Sequence, residues 1–185
     1  ILNEEALLHP EWADSIDFTA FPAAYEKRLT EEPHEAKHVI AISDFLKKTL
    51  TESGVSPGKI TVIPLGFDIT GIRHKESTDP ITNRPLRLLY AGRITQRKGI
   101  KYLLEAIKRF KKQDVQLHII GNSYGSGDAF KKEAAYYHYT PGVSQQTLFG
   151  LYADYDALIF PSVLEGFGLV SVEAMGAGLP VITTP

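Results

Sequence analysis

The sequence predicts an α/β fold in which a parallel sheet is covered by helices on both faces. Three observations carry this. Short apolar runs alternate with helix-length amphipathic runs from Leu86 to Thr183, the pattern of βαβ units. The apolar runs, such as Leu88-Leu89-Tyr90 and Ala157-Leu158-Ile159-Phe160, are near-continuous, as strands buried on both faces must be. Glycine-rich stretches follow three of them, at residues 92–99, 121–127 and 166–168. In open α/β sheets ligands bind outside the carboxyl ends of the strands.

Taken in chain order, residues 1–36 show no sustained period and carry Pro10, Pro22 and Pro33, so they read as irregular. His38–Ile42 reads as a strand. Ser43 can cap a helix over 44–53, stopped by Gly54. Lys59–Ile63 is a second strand, ended by Pro64. Residues 64–85 hold Gly71, Pro80 and Pro85 among many charges and read as a linker. Beyond it the expected order is strand 86–90, helix 99–111, strand 115–120, helix 128–136 and a short strand 137–139. Helix 144–152, strand 157–160, helix 169–175 and strand 180–183 complete the order. Leu103, Leu104, Ile107 and Phe110 stand at helical spacing.

Composition bounds the chemistry. The chain has 185 residues, no cysteine and a net charge of −2. That removes disulfides and thiolate chemistry, and leaves no global field toward nucleic acid. No apolar run approaches the roughly 20 residues of a membrane-spanning helix. A cytoplasmic protein is expected; peripheral membrane contact stays open. The chain opens at Ile1 and ends in a strand-like run, so a piece of a longer protein is expected. Charge is segregated. Residues 1–36 carry nine acids against two bases, and residues 85–112 nine bases against one acid. A solvated helix face accounts for most of those bases.

Two loops and one carboxylate pair carry the chemical signal. Gly92-Arg93-Ile94-Thr95-Gln96-Arg97-Lys98-Gly99 follows a strand. Arg93 offers a planar fork for phosphate oxygens, Lys98 a compact charge, and the next helix its free N–H groups. Arg97 is assigned to solvent. A solvated basic loop remains the simpler reading of these residues alone. Gly121-Asn122 opens a second loop, which either brings backbone near a nucleotide or is a strand–helix turn. Glu165 lies on a glycine-flanked loop and Glu173 follows after seven intervening residues, near the start of a helix. A glycosidase-like acid and nucleophile is one reading; a carboxylate that accepts hydrogen bonds from a diol is the preferred one. His34 and His38 do not share a helical face, Ser43 is a cap, and His9, His118 and His138 read as structural, so no metal site is expected.

Glu165-Gly166-Phe167-Gly168 with Glu173 resembles the E-x7-E motif of retaining glycosyltransferases of the GT-B fold, family 4. Ala91-Gly92-Arg93 with Lys98-Gly99 resembles that family's phosphate loop. Residues 36–67 resemble its strand–helix–strand before the interdomain linker, and residues 152–162 also fit. The resemblance implies two Rossmann-like domains, incomplete at both ends here. Residues 1–63 would be the tail of the acceptor-side domain, 64–85 the linker and 86–185 the nucleotide-sugar-binding domain. It further implies that Arg93 and Lys98 bind the donor diphosphate, that Glu173 holds the ribose and that Glu165 touches the transferred sugar. Gly92, Gly166, Phe167, Gly168 and Leu169 would line the sugar and phosphates, with Gly121, Asn122 and the 138–139 strand near the base. Glu165, Arg93 and Lys98 are the expected catalytic residues. No cofactor is expected; the donor would be a UDP-, GDP- or ADP-sugar and the acceptor is not identified. A nucleotide-sugar epimerase of the same fold and a non-catalytic nucleotide-sugar-binding subunit are the alternatives.

Overall fold

The computed structural model describes residues 1–16, 22–76 and 82–184. Asp17 of the acidic count, residues 77–81 of the expected linker and Pro185 lie outside the described residues. The chain divides into two compact units, one of residues 22–67 and the other of 1–16, 68–76 and 82–184.

The first residues are helical rather than irregular. Helix α1 spans Leu2–Leu8 and a 3-10 turn spans Pro10–Ser15. Pro10 occupies the first position of that turn, where its missing N–H costs nothing. Trp12 (5% exposed) joins the core of the larger unit. A tertiary contact, invisible to local periodicity, orders this segment.

In the smaller unit α2 (Ala23–Glu35) precedes β1 (Val39–Ala41), α3 (Asp44–Glu52) and β2 (Ile60–Val62). Helix α2 buries no residue and holds Pro33 in its last turns, which is why no apolar stripe announced it. Ser43 caps α3 as expected, accepting the Leu46 N–H at 3.1 Å. Strands β1 and β2 are parallel and enclose Ala41, Val55 and Ile60 with Leu46 and Leu50.

The larger unit contains β3 (Leu86–Ala91), α4 (Ile100–Ile107), β4 (Val115–Ile120), α5 (Asp128–Lys132) and β5 (His138–Thr140). They are followed by α6 (Gln145–Leu151), β6 (Ala157–Phe160), α7 (Leu169–Gly176) and β7 (Val181–Thr183). Its five strands are all parallel in the order β5-β4-β3-β6-β7. This is the Rossmann-like order, with the chain reversing direction across the sheet between β3 and β6. Leu89, Ile119 and Leu158 (each 0% exposed) lie on the central strands. Helix α4 ends before Phe110, which sits in the following turn and is 57% exposed. Its expected place on the apolar stripe is lost because the chain must turn back into β4.

Described parts of the expected linker pack on the sheet unit. The Arg73 N–H donates to the Phe149 carbonyl (3.2 Å) and the Lys75 N–H to that of Ala177 (2.8 Å). Asp156, 9% exposed at the start of β6, gathers this region. It accepts from both terminal nitrogens of Arg84 (2.6 and 2.8 Å), from the Arg87 N–H (2.8 Å) and from Lys75 Nζ (3.4 Å).

Hydrogen bonds from Arg84, ahead of that from the Arg87 N–H and the charge of Lys75, hold the Asp156 carboxyl well below the usual carboxylate range. A group with a depressed folded pKa stabilises the fold above its unfolded value of about 3.9 and stops doing so below it. Asp156→Asn is expected to cost about 2 kcal/mol at neutral pH. Urea midpoints of the parent should fall between about pH 4 and 2, and those of the variant should fall less over that window.

Candidate functional site

The reversal between β3 and β6 brings two loops together at the carboxyl ends of the strands. One runs from Gly92 to Gly99 after β3, the other from Pro161 to Gly168 after β6. Lys98 Nζ is ion-paired with Glu165 Oε2 across them. The side chains are 18% and 25% exposed, so the pair is partly desolvated. Phe160 lies beneath, with its ring centre 5.6 Å from Lys98 Nζ. The Glu165 carboxylate also accepts the Gly166 N–H at 3.0 Å, which fixes its direction.

Backbone contacts lock these loops. Gly99 has φ +69°, and a Cβ there would stand 1.9 Å from the Pro161 carbonyl oxygen. Only glycine permits both the left-handed conformation and the approach. The Val163 N–H donates to the Arg97 carbonyl (3.0 Å). Arg97, assigned to solvent from the sequence, instead donates Nη1 to the Leu164 carbonyl (3.3 Å). The Tyr90 hydroxyl donates to the Arg93 carbonyl (2.7 Å). Burial pushes this phenol far above its ordinary pKa, so it stays a neutral donor. The Arg93 guanidinium stands 5.8 Å from the centre of the Tyr124 ring.

Glu173 is 6% exposed, on α7. It is the fifth residue of the helix, so it sits in the second turn, beyond the strongest reach of the N-terminal dipole. Two side chains hold it instead: the Tyr152 hydroxyl donates to Oε2 (2.7 Å) and Gln145 Nε2 to Oε1 (2.9 Å). Burial, then the bond to Glu173, pushes the Tyr152 hydroxyl far up in pKa. A carboxylate accepts at about four lone-pair sites, so each oxygen retains capacity for another donor.

An open cleft of about 260 Å³ lies beside the β3 loop, lined by Gly92, Arg93, Gly121, Asn122, Val143 and Leu148 among others. Asn122 Oδ1 accepts the Gly142 N–H (2.9 Å), and the Tyr139 hydroxyl donates to the Gly121 carbonyl (3.1 Å). Helix α6 connects cleft and carboxylate: Leu148 lines the former and Gln145 grips the latter.

The structure thus joins Lys98 to Glu165, and Gly92 and Arg93 to Gly121 and Asn122. Gly166, Phe167, Gly168 and Leu169 form the turn into α7, with Glu173 a turn further on. Sequence reasoning missed Gln145 and Tyr152 as the holders of Glu173, and Val143 and Leu148 as cleft walls. Spacing did not reveal them, because Tyr152 and Gln145 lie 21 and 28 residues from Glu173. Among the described residues no group of three or more His, Asp or Glu is placed to hold a metal ion.

The comparisons bear on family and fold. Residues 85–185 match the model of the glycosyl transferases group 1 family. Over 165 residues the chain is 31% identical to the MMP alpha-(1->4)-mannosyltransferase of Mycolicibacterium hassiacum, covering 86% of this chain and 39% of that one. The apo lipopolysaccharide outer core galactosyltransferase WaaB aligns with a TM-score of 0.61 at 28% identity, over 80% of this chain and 43% of that one. Anabaena HepE, solved with UDP-glucose, aligns with a TM-score of 0.69 at 20% identity, over 88% and 49%. The chain spans less than half the length of these proteins. It belongs to the group 1 glycosyltransferase family, and its fold is the one that the GT-B resemblance implied.

Two glycine substitutions should separate close approach from open space. Gly99→Ala must displace the Pro161 carbonyl and is expected to cost about 3 kcal/mol by urea unfolding. Gly150→Ala meets nothing within 4 Å inside α6 and should stabilise by about 0.5–1 kcal/mol.

Proposed function

We propose that this member of the group 1 glycosyltransferases binds a nucleotide-diphosphate sugar in the larger unit and takes part in transferring the sugar with retention of configuration. The observation that carries the reading is the Lys98–Glu165 pair across the β3–β6 reversal, with Arg93 on the same loop as Lys98 and the buried Glu173 on the helix that follows Glu165. In this reading the base enters the cleft at Gly121 and Asn122, and Glu173 accepts from the ribose hydroxyls. The diphosphate lies against Arg93, Lys98 and the first N–H groups of α7, which lack intrahelical partners. The backbone of Gly166, Phe167, Gly168 and Leu169 lines the sugar, and Glu165 accepts from its hydroxyls. Residues 22–67 are assigned to the acceptor-side domain.

The chemistry follows from charge. The bond between the anomeric carbon and the diphosphate oxygen breaks, and its electron pair leaves with the diphosphate. Arg93 and Lys98 neutralise that charge from fixed positions, so little reorganisation is needed. The acceptor oxygen bonds to the same face of the anomeric carbon, and its proton passes to the departing phosphate oxygen. No covalent protein intermediate is assigned.

Titration with UDP, GDP and ADP tests the site; HepE's UDP-glucose complex makes UDP the first probe. Arg93→Ala is expected to weaken the preferred diphosphate about 10- to 100-fold, and Glu173→Ala about 10-fold. Unchanged affinity in both would overturn the assignment. Glu165→Gln should lower kcat by about 100-fold or more, with smaller effect on KM. Proton NMR of the glycoside should show the donor's anomeric configuration.

A further inference from the structure

The donor reading leaves the acidic N-terminal segment unused, yet that segment reaches the loop after β3 and the loop after β4. Gln96 lies between Arg93 and Lys98 and is fully buried (0% exposed). A buried amide must find partners. Gln96 Nε2 donates to Glu5 Oε2 at 2.8 Å, and its Oε1 accepts the Lys101 N–H at 3.1 Å. Its own backbone N–H donates to Ser15 Oγ at 3.0 Å. Glu5, 9% exposed, also accepts from the Tyr102 hydroxyl at 2.9 and 3.0 Å.

The same segment touches the loop after β4. Asp14 Oδ2 accepts the Ser126 N–H at 2.8 Å. The Asp14 carbonyl oxygen stands 2.4 Å from where a Cβ on residue 125 would be, so only Gly125 lets the two backbones meet. Trp12 in the core and the Glu11–Lys101 pair at 2.8 Å anchor the segment between these contacts.

We propose that Glu5 and Gln96 are positioning residues for the diphosphate site, and that residues 5–15 form a docked brace that sets its phosphate affinity. This rests on the donor reading, because it acts through Arg93 and Lys98. The brace holds the middle of the loop that presents both cations. Without Glu5 the Gln96 side-chain NH2 group is left buried without an acceptor, the loop relaxes, and the two cations lose their common aim. Base and ribose contacts from Gly121, Asn122 and Glu173 lie outside that loop.

The experiment compares each of UDP, GDP and ADP with its own nucleoside, in the parent and in Gln96→Glu. That substitution sets a second carboxylate against Glu5. The nucleoside diphosphate that the parent binds best is expected to weaken at least 10-fold, while its nucleoside changes less than twofold. The reciprocal exchange Glu5→Gln with Gln96→Glu restores the bond with donor and acceptor reversed, and should return diphosphate affinity to within threefold of the parent. Ser15→Ala, a milder change that keeps the fold if Gln96→Glu does not, should weaken the diphosphate about threefold and spare the nucleoside. Equal losses for diphosphate and nucleoside, or no rescue by the exchange, would overturn the brace. If Arg93→Ala also leaves diphosphate affinity unchanged, the donor reading has failed and the brace with it. If Arg93→Ala weakens binding and the brace variants do not, the brace alone has failed.

Discussion

The placement of β3 beside β6 is the constraint on which the site depends. Strand order reverses there, and the loops after these two strands meet at the carboxyl ends of the sheet, where ligands bind in such folds. Lys98 comes from one loop and Glu165 from the other. Gly99 brings the loops into backbone contact at Pro161, and the Val163 and Arg97 backbones bond across the same seam. Moving either strand by one position would separate the pair.

Such a pair contributes little to stability. Half-buried ions give up much of their hydration, and attraction repays it only where geometry and further hydrogen bonds are good. The energy that holds this region comes from the apolar strands beneath and from the Asp156 cluster, where several donors converge on one carboxylate. The Lys98–Glu165 pair is better understood as fixing two charges in place before a ligand arrives. The same contrast applies to Glu173. Its two donors, Tyr152 and Gln145, satisfy a buried carboxylate that would otherwise be costly, and they fix its direction.

How much of this was legible in the sequence depends on range. The strands of the sheet unit were visible because burial on both faces leaves near-continuous apolar runs, and the cap at Ser43 was visible because a cap is local. Glu165, Arg93 and Lys98 were legible as strand-end residues. The helices of residues 1–35 were not, since α2 buries nothing and α1 is ordered by a partner some ninety residues away. Most of the basic stretch read as a solvated helix face, and the acidic stretch as an irregular segment. Glu5, Glu11 and Asp14 instead meet Gln96, Lys101 and Ser126. Composition recorded the charges, but only the fold could show that they face each other.

That juxtaposition bears on how an anionic ligand could approach at all. Glu165 would repel a diphosphate if its charge were free, and Lys98 cancels it. The lysine then has hydrogen-bonding capacity to spare: an ammonium carries three donors and no fixed plane, so it can keep one bond to Glu165 and turn others to phosphate. An arginine committed in a two-point fork to Glu165 would face away from the ligand. With Lys98 engaged to Glu165, the aim of Arg93 beside the cleft becomes the controlling variable in the proposed reading. The Arg93 carbonyl is fixed by Tyr90 and the loop's centre by Gln96. In the proposed donor reading the cations would act together only while both anchors hold, so the buried polar contacts behind the loop would bear on phosphate binding as directly as the charges in front of it.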